Sequence, residues 1–128
     1  MKKKKCDVFS PDEVAVRMNG FLTQSGTLLE PAVGTGSLLR DLSLYDRVDV
    51  FDVEEHYLEK IEGVNKFHED FLKHDFGEKQ YDNILMNPPY LRIQDIEPEY
   101  RTYLKKQFGL NGSFDLYLAF LIKCVSLL

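Results

Sequence analysis

Cysteine is scarce in this chain: Cys6 and Cys124 are the only two. Neither has a second Cys or a His at metal-ligand spacing, so no metal site is expected, and free thiols in a reducing, cytoplasmic setting are the simplest reading. Long apolar runs are also missing, which leaves no segment able to span a bilayer. The lysines at residues 2–5 could open a signal peptide, but Asp7, Asp12 and Glu13 stand where its apolar stretch should follow. Positive charge is in short supply, since 16 Lys and Arg against 21 Asp and Glu give a formal net charge of -5. That sign argues against a self-sufficient nucleic-acid binder. The three histidines, His56, His68 and His74, lie in polar surroundings and are expected at the surface. Repeats and low-complexity segments are absent.

What is present suits one globular domain. The 128 residues are 44% hydrophobic and 29% charged, enough for a single core and too apolar for disorder. Residues 1–8 read as a solvated basic tail and residues 9–128 as the folded part. "SPDEVAVRMNGFL" carries a helix start, with Ser10 as N-cap, Pro11 at the first position and Asp12 and Glu13 in the first turn. "GTLLEP" predicts a strand and "GTGSLLRDL" a turn that opens a helix. "DRVDVFDV" predicts a second strand, "EEHYLEKI" a helix, "VNKFHEDF" a short third strand and "YDNILMNP" a fourth. Residues 97–108 read as a polar helix, and "SFDLYLAFLIKCVSLL" as a strongly apolar one. Strands alternating with helices imply an α/β fold, a Rossmann-like parallel sheet covered on both faces, with ligands at the carboxyl ends of its strands.

Every chemically loaded stretch falls at such an end: residues 30–36, Asp52, Asp70 and residues 87–90. In "LLEPAVGTGSLL", Gly34 and Gly36 allow a tight turn and a close ligand approach. The three-glycine dinucleotide fingerprint and the P-loop lysine are both missing. Glu30 would repel a phosphate and suits a cation, such as an amino group or a sulfonium. Glycines serving turn geometry alone are the alternative. Asp52, 16 residues beyond Gly36, sits where ribose hydroxyls are usually held, with Glu54 as the other candidate. Asp70 can accept from an adenine amino group while the backbone at Phe71 meets the ring, or it can simply cap a turn. Together these acids outline a nucleoside that carries a positive amino acid, the shape of S-adenosylmethionine.

"DNILMNPPYLR" poses a sharper question, because a strand end needs only an Asn and one Pro to turn. The exocyclic amino group of a base is a poor nucleophile, since its lone pair is drawn into the ring. A site that accepts both N–H hydrogens restores that lone pair. The amide oxygen of the Asn87 side chain and the backbone C=O of Pro88 are two such acceptors, made rigid by Pro88 and Pro89. Tyr90 offers a face for stacking on a base swung out of its duplex.

"LEPAVGTG" followed by "NPPY" resembles the S-adenosylmethionine-dependent amino-methyltransferases, in the order of the gamma type of adenine-N6 DNA methyltransferases. "FSPDEVAVRM" resembles that group's N-terminal cofactor motif, with Ser10 where Thr is common. "FDLYLAFLIKCVSLL" resembles the helix after the catalytic loop of restriction–modification and type IIG-like enzymes. The resemblance implies that Ser10, Glu30, Pro31, Ala32, Gly34 and Gly36 surround the methionine moiety, Asp52 holds ribose, and Asp70 and Phe71 meet the cofactor's adenine. It implies that Asn87, Pro88, Pro89 and Tyr90 form the catalytic loop, with Phe120 packed beside the pocket. Such enzymes continue past "SLL" into further strands and a target-recognition domain. The expectation is therefore an incomplete class I methyltransferase sheet of four parallel strands, the N-terminal piece of a larger enzyme and inactive alone, with double-stranded DNA and its flipped adenine as the full enzyme's partner. Leu116, Leu118, Phe120, Leu121, Val125 and Leu128 would then lack a covering layer and favour self-association. "NPPY" also occurs in methyltransferases of glutamine amides and of ribosomal RNA bases, and a cofactor-binding protein without turnover is a further alternative.

Overall fold

Two inner strands, TLLE and RVDVF, are buried along most of their length, as parallel strands covered on both faces require, whereas the outer strand NKF stays largely exposed. The structure, a computed structural model, describes residues 12–88, 91–112 and 114–128. The strands are β1 (Thr27–Glu30), β2 (Arg47–Phe51), β3 (Asn65–Phe67) and β4 (Asn83–Ile84), all parallel, in the order β3-β2-β1-β4. Leu29 lies beside Asp49 and Ile84, and Glu30 beside Val50. The chain steps outward from β1 to β3 and then returns to the other side of β1. The order therefore reverses between β1 and β4, where open α/β sheets form their ligand crevice.

Helices cover both faces. Helix α1 (Asp12–Asn19) buries Ala15 against Leu28, Val48, Val50 and Leu85. Asn19 donates to the carbonyls of Ala15 (2.7 Å) and Leu38 (2.6 Å), which ties the helix end to the loop after β1. On the other face, α3 (Pro98–Phe108) and α4 (Leu116–Leu127) pack Leu104, Ala119, Phe120, Cys124 and Leu127 on Leu29, Phe51 and Phe71. Each fully buried Leu or Phe of these layers contributes roughly 1.5–3 kcal/mol. The start of α3 follows its sequence, with Pro98 at the first position and Glu99 in the first turn.

Several expectations need correction. No helix follows the glycine turn: residues 34–41 run as successive turns, and only a 3₁₀ turn, Leu42–Leu44, precedes β2. Gly34 (φ 55°), Gly36 (φ 81°) and Asp41 (φ 48°) all adopt left-handed backbone, which interrupts a right-handed α-helical ladder. Helix α2 is a single turn, Glu55–Leu58, and β4 keeps only two paired residues, although the Leu85 N–H still reaches the Leu29 carbonyl (2.9 Å). His56 and His68 are exposed as expected, whereas His74 is half-buried, with Nδ1 2.9 Å from the Glu69 carboxylate. Its ring packs edge-on against Phe51, Phe67 and Phe76 at 4.5–5.7 Å. Of the apolar α4 residues expected to need cover, Phe120 is already buried against Phe71. Leu118, Leu121, Val125 and Leu128 are exposed, and Ile122 joins them. Cys124 is a buried free thiol, whereas the basic tail and Cys6 lie outside the described residues. Among the described residues no helix is long and apolar enough to cross a membrane.

Candidate functional site at the strand ends

Glu30 ends β1 with no exposed surface. Its Oε1 accepts the Ala32 N–H at 3.3 Å, while Oε2 is buried with no hydrogen-bond partner among the described residues. Burial holds this carboxyl well above the usual carboxylate range, the Ala32 N–H opposes that shift, and the charge of Asp52 adds to it. The cluster continues on α4. Cys124 approaches Met86 at 3.5 Å, and burial followed by the field of Glu30 pushes its thiol up to about 12.

Pro31, also fully buried, carries the backbone over the sheet edge, with Ala32 half-buried beside it. The Val33 N–H then crosses to the Phe51 carbonyl at 2.9 Å, and the Gly36 N–H closes a turn on the Val33 carbonyl at 3.0 Å. Asp52, directly past β2, holds this turn: its Oδ2 accepts the Gly34 N–H and its Oδ1 the Glu54 N–H, both at 2.9 Å. Glu54, the other ribose candidate, stands 3.9 Å from His56 with its side chain partly exposed. Asp52 is thus the residue built into the crevice wall, and its carboxylate retains further acceptor capacity.

Asp70 follows β3 and holds its own turn, with Oδ1 accepting the Leu72 N–H at 2.9 Å and its carbonyl accepting the N–H groups of Lys73 and His74. Its Oδ2 accepts the Tyr100 hydroxyl of α3 at 2.5 Å. These contacts show the turn-capping reading of Asp70, and each oxygen keeps a lone pair beyond them. The Phe71 ring, by contrast, belongs to the core, stacked on Phe120 at 5.4 Å. Only its backbone can face a ligand. Phe120 accordingly packs behind the Asp70 turn as a second layer.

On the opposite side of β1, Asn87 is half-buried and Pro88 fully buried just past β4. The backbone that leaves this turn is clamped to the start of α4: the Leu116 N–H reaches the Leu91 carbonyl at 2.8 Å, and the Ile93 N–H the Phe114 carbonyl at 2.9 Å. Ser10, Pro89 and Tyr90 lie outside the described residues. The structure thus brings Glu30, the glycine turn, Asp52, Asp70 and Asn87–Pro88 to one edge of the sheet. An open cleft of about 720 Å³ between the 72–80 loop, Tyr103 and Lys123 contains none of them.

Sequence reasoning missed two residues that set this edge. Tyr100 is one. The other is Lys123, whose Nζ donates to the Phe71 carbonyl at 2.5 Å and the His74 carbonyl at 2.6 Å while lying over the Phe71 and Phe76 rings. Burial lowers the pKa of this ammonium. Both residues act across 30 or more positions of sequence, and a helical pattern read locally gives no sign of the partner.

A fully buried carboxylate with an unpartnered oxygen fits a cationic ligand group, since a charge or strong donor there offsets the desolvation cost of ionising it. The comparisons point the same way. No curated protein matches the sequence. Among solved structures, a protein from Listeria monocytogenes described as a class I S-adenosylmethionine-dependent methyltransferase shares the fold, with a TM-score of 0.65 and 15% identity over 93% of the present protein. The present protein spans 42% of that neighbour's length. The four parallel strands and their flanking helices are thus an incomplete class I methyltransferase-like, Rossmann-type sheet. The family described as Eco57I restriction-modification methylase matches residues 35–128, from the glycine turn through the Asn87 loop to the end of α4. With well over half its length matched, the protein belongs to the Eco57I restriction-modification methylase family.

Proposed function

We propose that this protein serves methyl transfer from S-adenosylmethionine to the N6 amino group of adenine in DNA, as part of a restriction–modification system. The observation that carries this reading is the meeting, across the β1/β4 reversal, of a buried acid with an open oxygen and an Asn-Pro turn. Bound at this edge, the cofactor would supply an electrophilic methyl on a sulfonium, and the family membership supports its use here.

The residues divide the work. Glu30 would hold the cationic amino-acid end, with Pro31, Ala32, Gly34 and Gly36 shaping the backbone around it and Ser10 contributing a hydroxyl. Asp52 would accept from ribose hydroxyls, and Asp70 with the Phe71 backbone would receive the adenine ring. The Asn87 amide oxygen and the Pro88 backbone carbonyl would accept the two hydrogens of the target amino group, which draws its lone pair out of the ring and orients the nitrogen as a nucleophile. Pro89 would stiffen the turn and Tyr90 would stack on the extruded base. No base of low pKa has to act before transfer. The double-stranded DNA itself would be gripped largely outside these acidic 128 residues.

The test is single-turnover methylation beside cofactor binding, in a protein that contains this sequence. Asn87→Ala should cut transfer by about two to three orders of magnitude, the loss typical for one preorganised polar contact, with little change in cofactor affinity. Near-normal transfer in that variant would reduce the Asn-Pro turn to a structural bend.

A further inference from the structure

Asp70 is held more firmly than a turn requires. An Asp that caps a turn needs one acceptor contact, which the Leu72 N–H supplies at 2.9 Å. The second oxygen could have been left to solvent in this half-buried position. Instead α3 brings the Tyr100 hydroxyl to Oδ2 at 2.5 Å, which dehydrates both groups, a cost that a fold does not need to incur at a sheet edge. Tyr100 is itself confined, with its ring 5.9 Å from that of Tyr103 and the Lys73 ammonium 5.1 Å from each ring centre. The same turn is gripped from α3 by the Tyr103 hydroxyl on the Leu72 carbonyl at 3.2 Å and from α4 by Lys123.

The torsion that sets a carboxylate's plane is soft, so one hydrogen bond leaves it free to swing. Two donors on opposite oxygens fix that plane. Each oxygen has two lone pairs, so a directed acceptor remains on the carboxylate after both contacts are made. A fixed acceptor suits a purine that carries a 6-amino donor and repels one that carries a 6-oxo acceptor, because a carboxylate held in place cannot turn away.

We propose that Tyr100 is a positioning residue of the cofactor's purine subsite, anchoring the Asp70 carboxylate so that it selects a 6-amino over a 6-oxo purine. The role rests on the proposed adenine contact at Asp70. It also joins the cofactor side of the crevice to α3, the helix that follows the Asn87 turn.

The experiment measures calorimetric affinities of the whole protein for S-adenosylhomocysteine and for its 6-oxo counterpart, S-inosylhomocysteine. Tyr100→Phe keeps the ring and its packing but lacks the hydroxyl. The ratio of the two affinities should fall about tenfold in this variant, the loss expected of a hydrogen bond to a charged group. Tyr103→Phe releases the same turn at Leu72 but leaves Asp70 anchored, and should keep the wild-type ratio. If Tyr100→Phe weakens both ligands equally, or neither, Tyr100 merely supports the fold and the proposal is overturned. A shift of equal size in Tyr103→Phe overturns it too, since general loosening of the turn would then be the cause. A wild-type protein that binds the adenosyl compound with no preference over the inosyl one removes the adenine contact at Asp70, and Tyr100's role falls with it. A wild-type protein that binds neither compound overturns the cofactor reading of the whole edge.

Discussion

Two carboxylates are buried on neighbouring rungs of the sheet, Asp49 in β2 and Glu30 at the end of β1, and their surroundings are opposite. Asp49 receives the Arg47 guanidinium (2.8 Å), the Lys79 ammonium (3.1 Å), the Tyr81 hydroxyl (2.5 Å) and the Asn65 amide (2.9 Å). These donors tie β2 to β3 and to the start of β4. Glu30 has one long contact from a backbone N–H and an oxygen with no partner among the described residues. A folded protein can surround a buried acid with donors when structure is all that is required. Leaving the other acid open, at the point where the strand order reverses, marks it as the half of an interaction whose other half comes from outside.

The largest effect that could break this contrast is Asp49→Ala. It leaves the buried Tyr81 hydroxyl without its acceptor and removes the partner of Arg47, Lys79 and Asn65, and should cost about 3 kcal/mol in chemical denaturation. A loss below ~1 kcal/mol would mean that the four donors find water as easily as they found Asp49.

Glu30→Gln should do the reverse. The folded protein raises the Glu30 pKa, so its protonated form is favoured by folding; that stabilisation is present below the ordinary glutamate value and is lost as pH rises through the raised one. Above that window the carboxylate is a burden on the fold. The amide variant should therefore match wild type in acid, exceed it in stability at alkaline pH, and bind S-adenosylmethionine more weakly by roughly 1.5–3 kcal/mol, the worth of a charged hydrogen bond. Unfolding profiles that run parallel across pH would show that Glu30 is not the group responsible.

Tyr81→Phe is the smallest change. Three donors still hold Asp49, so about 1 kcal/mol of stability should be lost, with cofactor affinity unaltered. A larger loss would point to a cooperative network.

Much of the site was legible because strand periodicity and glycine and proline punctuation are local signals. The four strands, their order in the sequence, α1, α3 and α4 all follow from such patterns. So does the gathering of Glu30, Asp52, Asp70 and Asn87 at one edge, since parallel strands place their ends together. The missing helix after Gly36 was not legible: "SLLRDL" has helical composition, but left-handed backbone at Gly36 and Asp41 and the pull of Asn19 on Leu38 prevail over propensity. His74 looked wholly exposed because its neighbours in sequence are charged, while in space three phenylalanines cover its ring beside the Glu69 carboxylate. The partners of Asp70 and Asp49 could not be read for the same reason, because Tyr100, Lys79 and Tyr81 reach them from 30 or more residues away.

The contrast between the two acids is tested most directly by the protons that accompany cofactor binding. Calorimetric titration with S-adenosylmethionine is run in buffers of different ionisation heat, at a pH between the ordinary glutamate value and neutrality. A cation entering beside Glu30 should ionise it, so the wild-type protein should release protons on binding and Glu30→Gln should release none. Identical proton release in the two proteins, or none in either, would contradict the claim that Glu30 is kept open for an incoming positive charge.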